Sequence, residues 1–412
     1  MEKTPVAPLL IRVPARARVQ ARVPSLKQAL LRAPMRTMTS RPVLAFVFAL
    51  ALAFTPMLIT AFGQEAVTLP AKPQSPRTGR VLELREVFRI SDSQGGFFFK
   101  SPRNLQPVPN GGLMVVDEDQ FLRFDAAGKF VVNMFRAGQG PGELRQIGDY
   151  LVGDGEVLAF QERPMKCVVA GLDGKFLREL KPDAPVSRLF GPCGGGLLTA
   201  ASAPPQFDKV QKPEGDFLDI VWTLKLMDAE GRVEATTLTF PTKWFVKRLP
   251  GAAMADYFTF LLCAPLGDGL VAVAHEDGYV IRIVDPAKNA VVRTIRRDYR
   301  RVKFVPEKKD DEPGAARRLA PPRDHFNDIQ KLFAVDGHIW VVTSTIEPGK
   351  GVLVDVISAG GEYLDSFYLP LPKGVGLHAL ARYSLTISGR AVLALETLED
   401  GLLEVVKYEI VD

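Results

Sequence analysis

The chain has 412 residues, a formal charge of +5 and 47% apolar residues, which is enough for a large core. The positive charge is concentrated in the first 41 residues, where nine Lys or Arg stand against one acid, Glu2. The remainder carries 43 basic and 46 acidic residues, so the part that folds is slightly acidic. Because nucleic-acid binding relies on basic side chains that neutralise phosphates, we expect no nucleic-acid partner.

An apolar run, 43–54, follows the basic stretch, and small residues occupy Ala61 and Gly63. A basic segment, an apolar segment and a small-x-small site are typical of a secretory signal peptide. We therefore predict a basic leader and signal peptide over 1–63 and a periplasmic or secreted protein. The alternative is an uncleaved membrane anchor over 43–62, which is nearly long enough to span a bilayer.

Residues 64–79 are rich in Pro and polar side chains, which predicts a flexible linker. Beyond them, short apolar runs alternate with Gly, Pro and Asp turns, the pattern of β-strands. A turn followed by an apolar strand recurs six times, at Gly111-Gly112, Asp154-Gly155, Gly195-Gly196, Asp268-Gly269, Asp336-Gly337 and Ser388-Gly389. Self-similarity at this length indicates stacked units of one small sheet each, as in a β-propeller.

The sixth unit offers three strands before the chain stops, and residues 81–90 offer a fourth at the other end of the chain. We therefore predict an all-β protein in which 80–412 form a six-bladed β-propeller with four-stranded antiparallel blades. In this prediction the N-terminal strand closes the last blade, which leaves no sheet edge unpaired.

One connection carries a family resemblance. The segment FRAGQGPGELRQIGD, 135–149, follows the hairpin turn FDAAGKF and resembles the G-x-G-P-G-E connection of bacterial six-bladed β-propeller proteins related to the NHL-repeat group. The resemblance implies a secreted or periplasmic ring-shaped scaffold and implies no reaction. Its glycines allow the chain to turn tightly between two blades, and Glu143 is placed to accept backbone N–H bonds there.

Acidic residues fall in every predicted loop between the second and third strand of a blade. These loops share one face of a propeller with the blade-to-blade connections. Asp and Glu suit exposed turns in general, or they create an electronegative channel mouth that attracts a cation or a basic partner. The candidate ligand-binding residues on this face are Asp117, Asp119, Glu162, Glu276, Asp277, Arg323, Asp324 and Asn327.

The sequence therefore predicts a monomeric exported scaffold that binds a protein, peptide or glycan at an acidic channel mouth, without catalysis. Residues 43–62 would add a membrane contact only if they stay uncleaved. The insertion 300–327 is charged and lacks strand periodicity. It is either a disordered loop or a lid or docking arm over the mouth.

Three histidines, His275, His325 and His378, fall on the same predicted face in adjacent blades. Three imidazoles with an open position would suit zinc and metal-assisted chemistry. The candidate cofactor is therefore a divalent metal, zinc or calcium. The alternative function is thus a metal-dependent hydrolase or lyase, similar in architecture to propeller lactonases and amidating lyases. Otherwise these histidines are solvated or locally hydrogen-bonded. The motifs GxSxG and HExxH are absent from the sequence, and no cofactor is firmly predicted.

Overall fold

The computed structural model describes residues 65–412 except 93–94, 204–205, 207–208, 211, 213, 235–237, 250–251, 307–320, 374, 381–384, 400 and 412. The predicted leader and signal, 1–63, and the anchor alternative, 43–62, lie outside the described residues. Within the described part, no helix has the length and apolar character needed to cross a membrane.

The described chain is almost entirely β-structure. The strands of its first half are β1 (Glu65–Thr68), β2 (Arg80–Val81), β3 (Leu84–Ile90), β4 (Pro102–Pro107), β5 (Leu113–Asp117), β6 (Gln120–Phe124), β7 (Phe130–Asn133), β8 (Asp149–Val152), β9 (Glu156–Gln161), β10 (Lys166–Gly171), β11 (Phe176–Leu180), β12 (Arg188–Cys193) and β13 (Gly196–Ser202).

The second half continues in the same way. Its strands are β14 (Asp216–Met227), β15 (Thr239–Leu249), β16 (Ala252–Tyr257), β17 (Leu262–Pro265), β18 (Val271–Ala274), β19 (Val280–Asp285), β20 (Ala290–Arg296), β21 (Ile329–Val335), β22 (His338–Glu347), β23 (Gly351–Ile357), β24 (Tyr363–Leu369), β25 (Leu385–Ser388), β26 (Ala391–Thr397) and β27 (Leu403–Ile410). A 3₁₀ turn (Pro286–Lys288) and one helical turn, α1 (Leu377–Leu380), interrupt them.

These strands form six sheets whose consecutive strands pair antiparallel. In chain order the sheets are I (β4–β7), II (β8–β11), III (β12–β16), IV (β17–β20 with β1), V (β21–β24 with β2) and VI (β25–β27 with β3). Sheets I, II and VI have four strands, as predicted for every blade, whereas III, IV and V have five. The fifth strand of sheet III is β16, an extra hairpin arm on the long strand β15.

The sheets pack side by side through their faces. The first strand of each sheet contacts the first strand of the next, from β4 through β8, β12, β17, β21 and β25, and β25 contacts β4. Each of six hydrophobic clusters joins two neighbouring sheets. The cluster between sheets VI and I, for example, brings Phe88 and Leu393 against Leu105 and Phe124. Small sheets that bury their faces against one another in this way form a β-propeller.

The segment before the first sheet differs from the flexible linker expected over 64–79. Strand β1 pairs parallel with β20, the backbone N–H of Leu69 donates to Arg296 O at 2.8 Å, and β2 pairs parallel with β24. Leu69 is only 4% exposed and packs with Ile295 and Tyr363. An apolar side chain in a polar stretch thus anchors the segment, and β3 continues it by pairing antiparallel with β27.

Candidate functional site

A pocket of about 300 Å³ lies where segments of sheets III and IV meet the connection between β20 and β21. We call it the aromatic pocket. Its lining residues are Phe217, Lys243, Phe258, Asp277, Arg301, Pro322, Arg323, Asp324 and His325. Four of them, Asp277, Arg323, Asp324 and His325, are candidates from the sequence, so the structure brings these four together.

Two phenyl rings form the apolar part of the pocket. Phe217 is the second residue of β14, and its ring meets that of Phe258 edge-on with centroids 4.9 Å apart. Phe258 is fixed by its backbone, since its N–H donates to Lys243 O at 2.9 Å and that of Thr259 donates to the same oxygen at 3.1 Å. Phe217 remains 38% exposed. A large exposed ring beside a positioned one is a surface that an apolar ligand group can cover.

Arg323 lies against these rings. Its guanidinium carbon is 4.7 Å from the Phe258 ring centroid and 5.5 Å from that of Phe304, and Nη2 donates to Phe258 O at 3.4 Å. Phe304 is held by its N–H, which donates to Asp324 O at 2.8 Å. Cation–π contacts on two rings restrict the guanidinium plane. Burial lowers the pKa of Arg323, although the side chain stays charged at neutral pH.

An ion-pair cluster forms the opposite wall. Arg301 Nη2 lies 3.0 Å from Asp277 Oδ2, and Arg301 Nε lies 3.3 Å from Asp328 Oδ1. Asp328 is buried, and this burial raises its pKa to about 6 against the lowering effect of Arg301. The Asp328 N–H also donates to Asp277 O at 2.8 Å, so the wall is tied to the loop between β18 and β19.

The lining of the pocket carries charges of both signs. Its lining includes three cationic side chains, Lys243, Arg301 and Arg323, and two carboxylates, Asp277 and Asp324. Insertion 300–327 contributes five of the lining residues. Its described parts are ordered by pairing, since Lys303 bridges antiparallel to His325 and the Phe326 N–H donates to Val302 O at 3.0 Å. Residues 307–320 of this insertion lie outside the described part.

Asn327 lies behind the pocket. It is buried, and its Nδ2 donates to Phe258 O at 3.0 Å, the oxygen that Arg323 also contacts. Its Oδ1 is buried and accepts no hydrogen bond from the residues that the structure describes. Asn327 therefore supports the position of Phe258 from inside the fold rather than lining the pocket.

The other acidic candidates lie elsewhere on the fold. Asp117 is fully buried at the end of β5, and its carboxylate accepts the N–H groups of Lys100 at 2.8 Å and Ser101 at 2.6 Å. That carboxylate fixes the entry to β4, and its burial corrects the expectation of an exposed loop acid. Asp119 is exposed 3.5 Å from Lys100 Nζ, and Glu162 is exposed in the turn after β9.

Glu276 is paired within its own sheet, with its Oε1 2.5 Å from Arg282 Nη2. The adjacent histidine joins the same group. His275 is buried, with Nδ1 2.7 Å from Pro241 O and Nε2 2.7 Å from Arg282 Nη1. Nδ1 therefore donates and Nε2 accepts, which describes a neutral ring. Burial lowers the pKa of His275, which agrees with that state.

Among the described side chains, His275 and His325 belong to no metal-binding group, and the prediction for His378 lies outside the described residues. His275 uses both ring nitrogens within the protein, and His325 is half-buried in the aromatic pocket. His378 lies in α1, and its side chain is outside the described residues. Among the described side chains, no group of three His, Cys, Asp or Glu is arranged to hold a metal ion.

Sequence reasoning missed Phe217, Lys243, Phe258 and Arg301. Phe217 carried a weak signal, because it is an aromatic residue at the end of 202–217, a polar and Pro-containing segment that interrupts the third repeat. Lys243 and Phe258 carried no signal in the sequence, because it is the long hairpin of β14 and β15 that brings them close to Phe217. Chemically, the pocket offers apolar rings and charges of both signs, which suits ligand binding.

No protein-family model and no curated protein matches this sequence. Solved structures with a similar fold include a Bacteroides fragilis protein assigned as exported (11% identity, 84% of this chain, 100% of that chain, TM-score 0.46). A second is a DUF4221 family member from Bacteroides vulgatus (10% identity, 80% of this chain, 98% of that chain, TM-score 0.45). A third is a PQQ-bound aldose sugar dehydrogenase from Streptomyces coelicolor (13% identity, 81% of this chain, 99% of that chain, TM-score 0.39). At these identities, the activity of a similar structure cannot be assigned to this chain. The chain is an all-β propeller on the evidence of its own sheet packing.

Proposed function

We propose that this protein is an exported, monomeric, non-catalytic propeller that binds a peptide segment of a protein ligand in the aromatic pocket. The observation that carries the proposal is the pairing of the exposed Phe217 ring with the positioned Phe258 ring, inside a rim of charges of both signs. Buried aromatic anchors within a polar rim are the usual composition of protein-binding hot spots.

We further propose that the six sheets are six blades of a closed ring related to the NHL-repeat group. Three observations support closure: β3 pairs with β27, β25 contacts β4, and one hydrophobic cluster joins sheets VI and I. The composition of residues 1–63 supports export. Intact-mass measurement of the exported protein tests this part, since cleavage after Gly63 leaves a chain that begins at Gln64.

The peptide-binding proposal is tested with a displayed random-octapeptide library selected on the purified full protein. The affinity of the peptides recovered with wild type is then measured for the Phe217→Ala and Phe98→Ala variants. Phe98 is a matched control, because it is another exposed phenylalanine, 54% exposed, outside the pocket. We expect Phe217→Ala to weaken binding about tenfold or more, as for an aromatic anchor, and Phe98→Ala to bind like wild type.

Two outcomes contradict the proposal. Recovered peptides that bind Phe217→Ala as tightly as wild type would place any binding elsewhere on the protein. The pocket would instead be assigned to carbohydrate if immobilised glycans bind in a way that depends on Phe217 while no peptide does.

A further inference from the structure

We propose that the aromatic pocket receives a Lys or Arg side chain of the peptide ligand, with the apolar stem against the Phe217 ring and the charged head at the Asp324 carboxylate. This inference rests on the proposed peptide-binding function and specifies which kind of ligand residue enters the pocket. Lys and Arg combine an apolar stem with a cationic head, so one side chain can contact both groups.

Two of the cations that line the pocket are paired with carboxylates of the fold. Arg301 Nη2 lies 3.0 Å from Asp277 Oδ2, and Arg301 Nε lies 3.3 Å from Asp328 Oδ1. Lys243 Nζ lies 3.1 Å from Asp219 Oδ1. These pairs offset the repulsion that Arg301 and Lys243 would otherwise exert on a positively charged ligand group.

The third lining cation, Arg323, also has partners within the fold. Its guanidinium lies against the rings of Phe258 and Phe304. Burial lowers the pKa of Arg323, and the carboxylates of Asp256 and Asp277 oppose that shift. The three cations are thus outnumbered by five carboxylates on and around the pocket, namely Asp219, Asp256, Asp277, Asp324 and Asp328. This excess of negative charge favours a cationic ligand group.

Asp324 is the carboxylate of this group that is left for a ligand. It lines the pocket and is exposed. Its backbone is held, since the Phe304 N–H donates to Asp324 O at 2.8 Å. Its carboxylate makes no hydrogen bond or ion pair with the residues that the structure describes. A carboxylate on a fixed backbone can accept the N–H groups of an ammonium or a guanidinium.

The Phe217 ring supplies the second contact. It is 38% exposed and meets the Phe258 ring edge-on, with centroids 4.9 Å apart. Arg323 lies over the Phe258 ring, whereas none of the described Lys or Arg side chains lies over the Phe217 ring. An aromatic face attracts a cation and also covers an apolar stem. A neutral apolar side chain would gain only the second of these contacts.

The experiment uses the recovered octapeptides whose binding to wild type depends on Phe217. In these peptides each Lys is replaced by acetyl-lysine and each Arg by citrulline, which keep the stem and remove the charge. On wild type we expect the neutral forms to bind about fivefold or more weakly, because they lose the cation–π contact and the pairing with Asp324.

Protein variants then locate the effect. Asp324→Asn should reduce the preference for the charged form to about twofold, since the cation–π contact remains. Asp324→Glu keeps the charge and should keep most of the preference. Asp154→Asn is the matched control, because Asp154 is exposed at a turn of sheet II, and it should keep the full preference. Unfolding midpoints of all variants establish that each is folded.

The outcomes separate the two proposals. Charged and neutral peptides that bind wild type equally, while binding still depends on Phe217, overturn the inference of a basic side chain and leave peptide binding intact. Phe217-dependent peptides that contain no Lys or Arg have the same consequence. A full preference that survives in Asp324→Asn also overturns the inference. Absence of any peptide whose binding depends on Phe217 overturns both proposals.

Discussion

Arg89 Nη1 lies 2.7 Å from Glu396 Oε2 and also 2.6 Å from Glu404 Oε2, so one guanidinium on β3 pairs with two carboxylates, one on β26 and one on β27. Glu396 is 1% exposed, whereas the Arg89 side chain is 31% exposed. Strand β3 is thus joined to β26 and β27 by charge, and to β27 by backbone pairing as well.

We expect Arg89→Met to lower the free energy of unfolding by about 2–3 kcal/mol, because it leaves two carboxylates in a poorly solvated site without their cation. The loss is smaller than for a fully buried pair, since water reaches Arg89. Arg85→Met is the control: Arg85 lies on the same strand and pairs with Glu409 in solvent, so it should cost less than about 1 kcal/mol. Equal losses in urea unfolding would contradict a special role for Arg89.

The turns were predictable because their chemistry is local. Gly128 has a φ of +76°, and the carboxylate of Asp125, three residues earlier, accepts the N–H of Lys129 at 2.9 Å, as the Asp-to-Gly pattern implies. Glu143 likewise accepts a backbone N–H, that of Gly140 at 2.8 Å, which confirms the expectation for that connection. In both arrangements the interacting residues lie within about four positions of each other. Over so short a range, the hydrogen-bond partners can be identified from the sequence.

The pocket was predictable only in part, because its contacts join distant segments. Arg323 and Asp324 were candidates because the charged insertion interrupts the repeat. Arg323, however, contacts Phe258, which is 65 residues away in the sequence. Phe258 follows the extra strand β16 of sheet III, and the repeat pattern does not predict that strand. The prediction of an acidic mouth counted acids alone, since basic partners such as Arg301, 24 residues from Asp277, cannot be assigned without the fold.

Asp328 should make stability depend on pH. Burial raises its pKa to about 6 in the folded protein, against about 3.9 for an unfolded Asp. The folded state therefore binds this proton more tightly, and the contribution of Asp328 to stability is greatest below about pH 4 and is lost as pH rises through 6. The size of the effect is on the order of 2–3 kcal/mol.

Denaturant unfolding between pH 4 and 7 measures this dependence. Asp328→Asn keeps an oxygen for Arg301 Nε and removes the titration, so it should gain stability over wild type as pH rises from 4 to 6. Asp154→Asn, at an exposed turn, should follow wild type. A constant difference between Asp328→Asn and wild type across this range would refute the assignment.

Gly142 should be intolerant of a side chain for a reason beyond its backbone angle. Its φ is +75°, and a Cβ there would lie 2.8 Å from the ring of Phe176. Gly337 also has a φ of +75°, but a Cβ there would meet nothing within 4 Å. We expect Gly337→Ala to cost about 1 kcal/mol for the left-handed conformation. Gly142→Ala should cost about 1–2 kcal/mol more, from overpacking against the ring. Thermal or urea unfolding that finds equal losses would show that Phe176 moves aside freely.

The contacts of His275 disfavour a bound metal ion. His275 donates from Nδ1 to Pro241 O, and its Nε2 faces the Arg282 guanidinium at 2.7 Å, so a cation at Nε2 would be repelled and the ring would have to turn. We therefore expect purified protein to contain well under one equivalent of zinc or calcium by elemental analysis. The His275→Ala/His325→Ala double variant should show the same metal content as wild type, with Lys129→Ala as a surface control. Stoichiometric zinc in wild type that the double variant loses would restore the metal-dependent hydrolase or lyase, because it would require a side-chain arrangement at these histidines unlike the one described here.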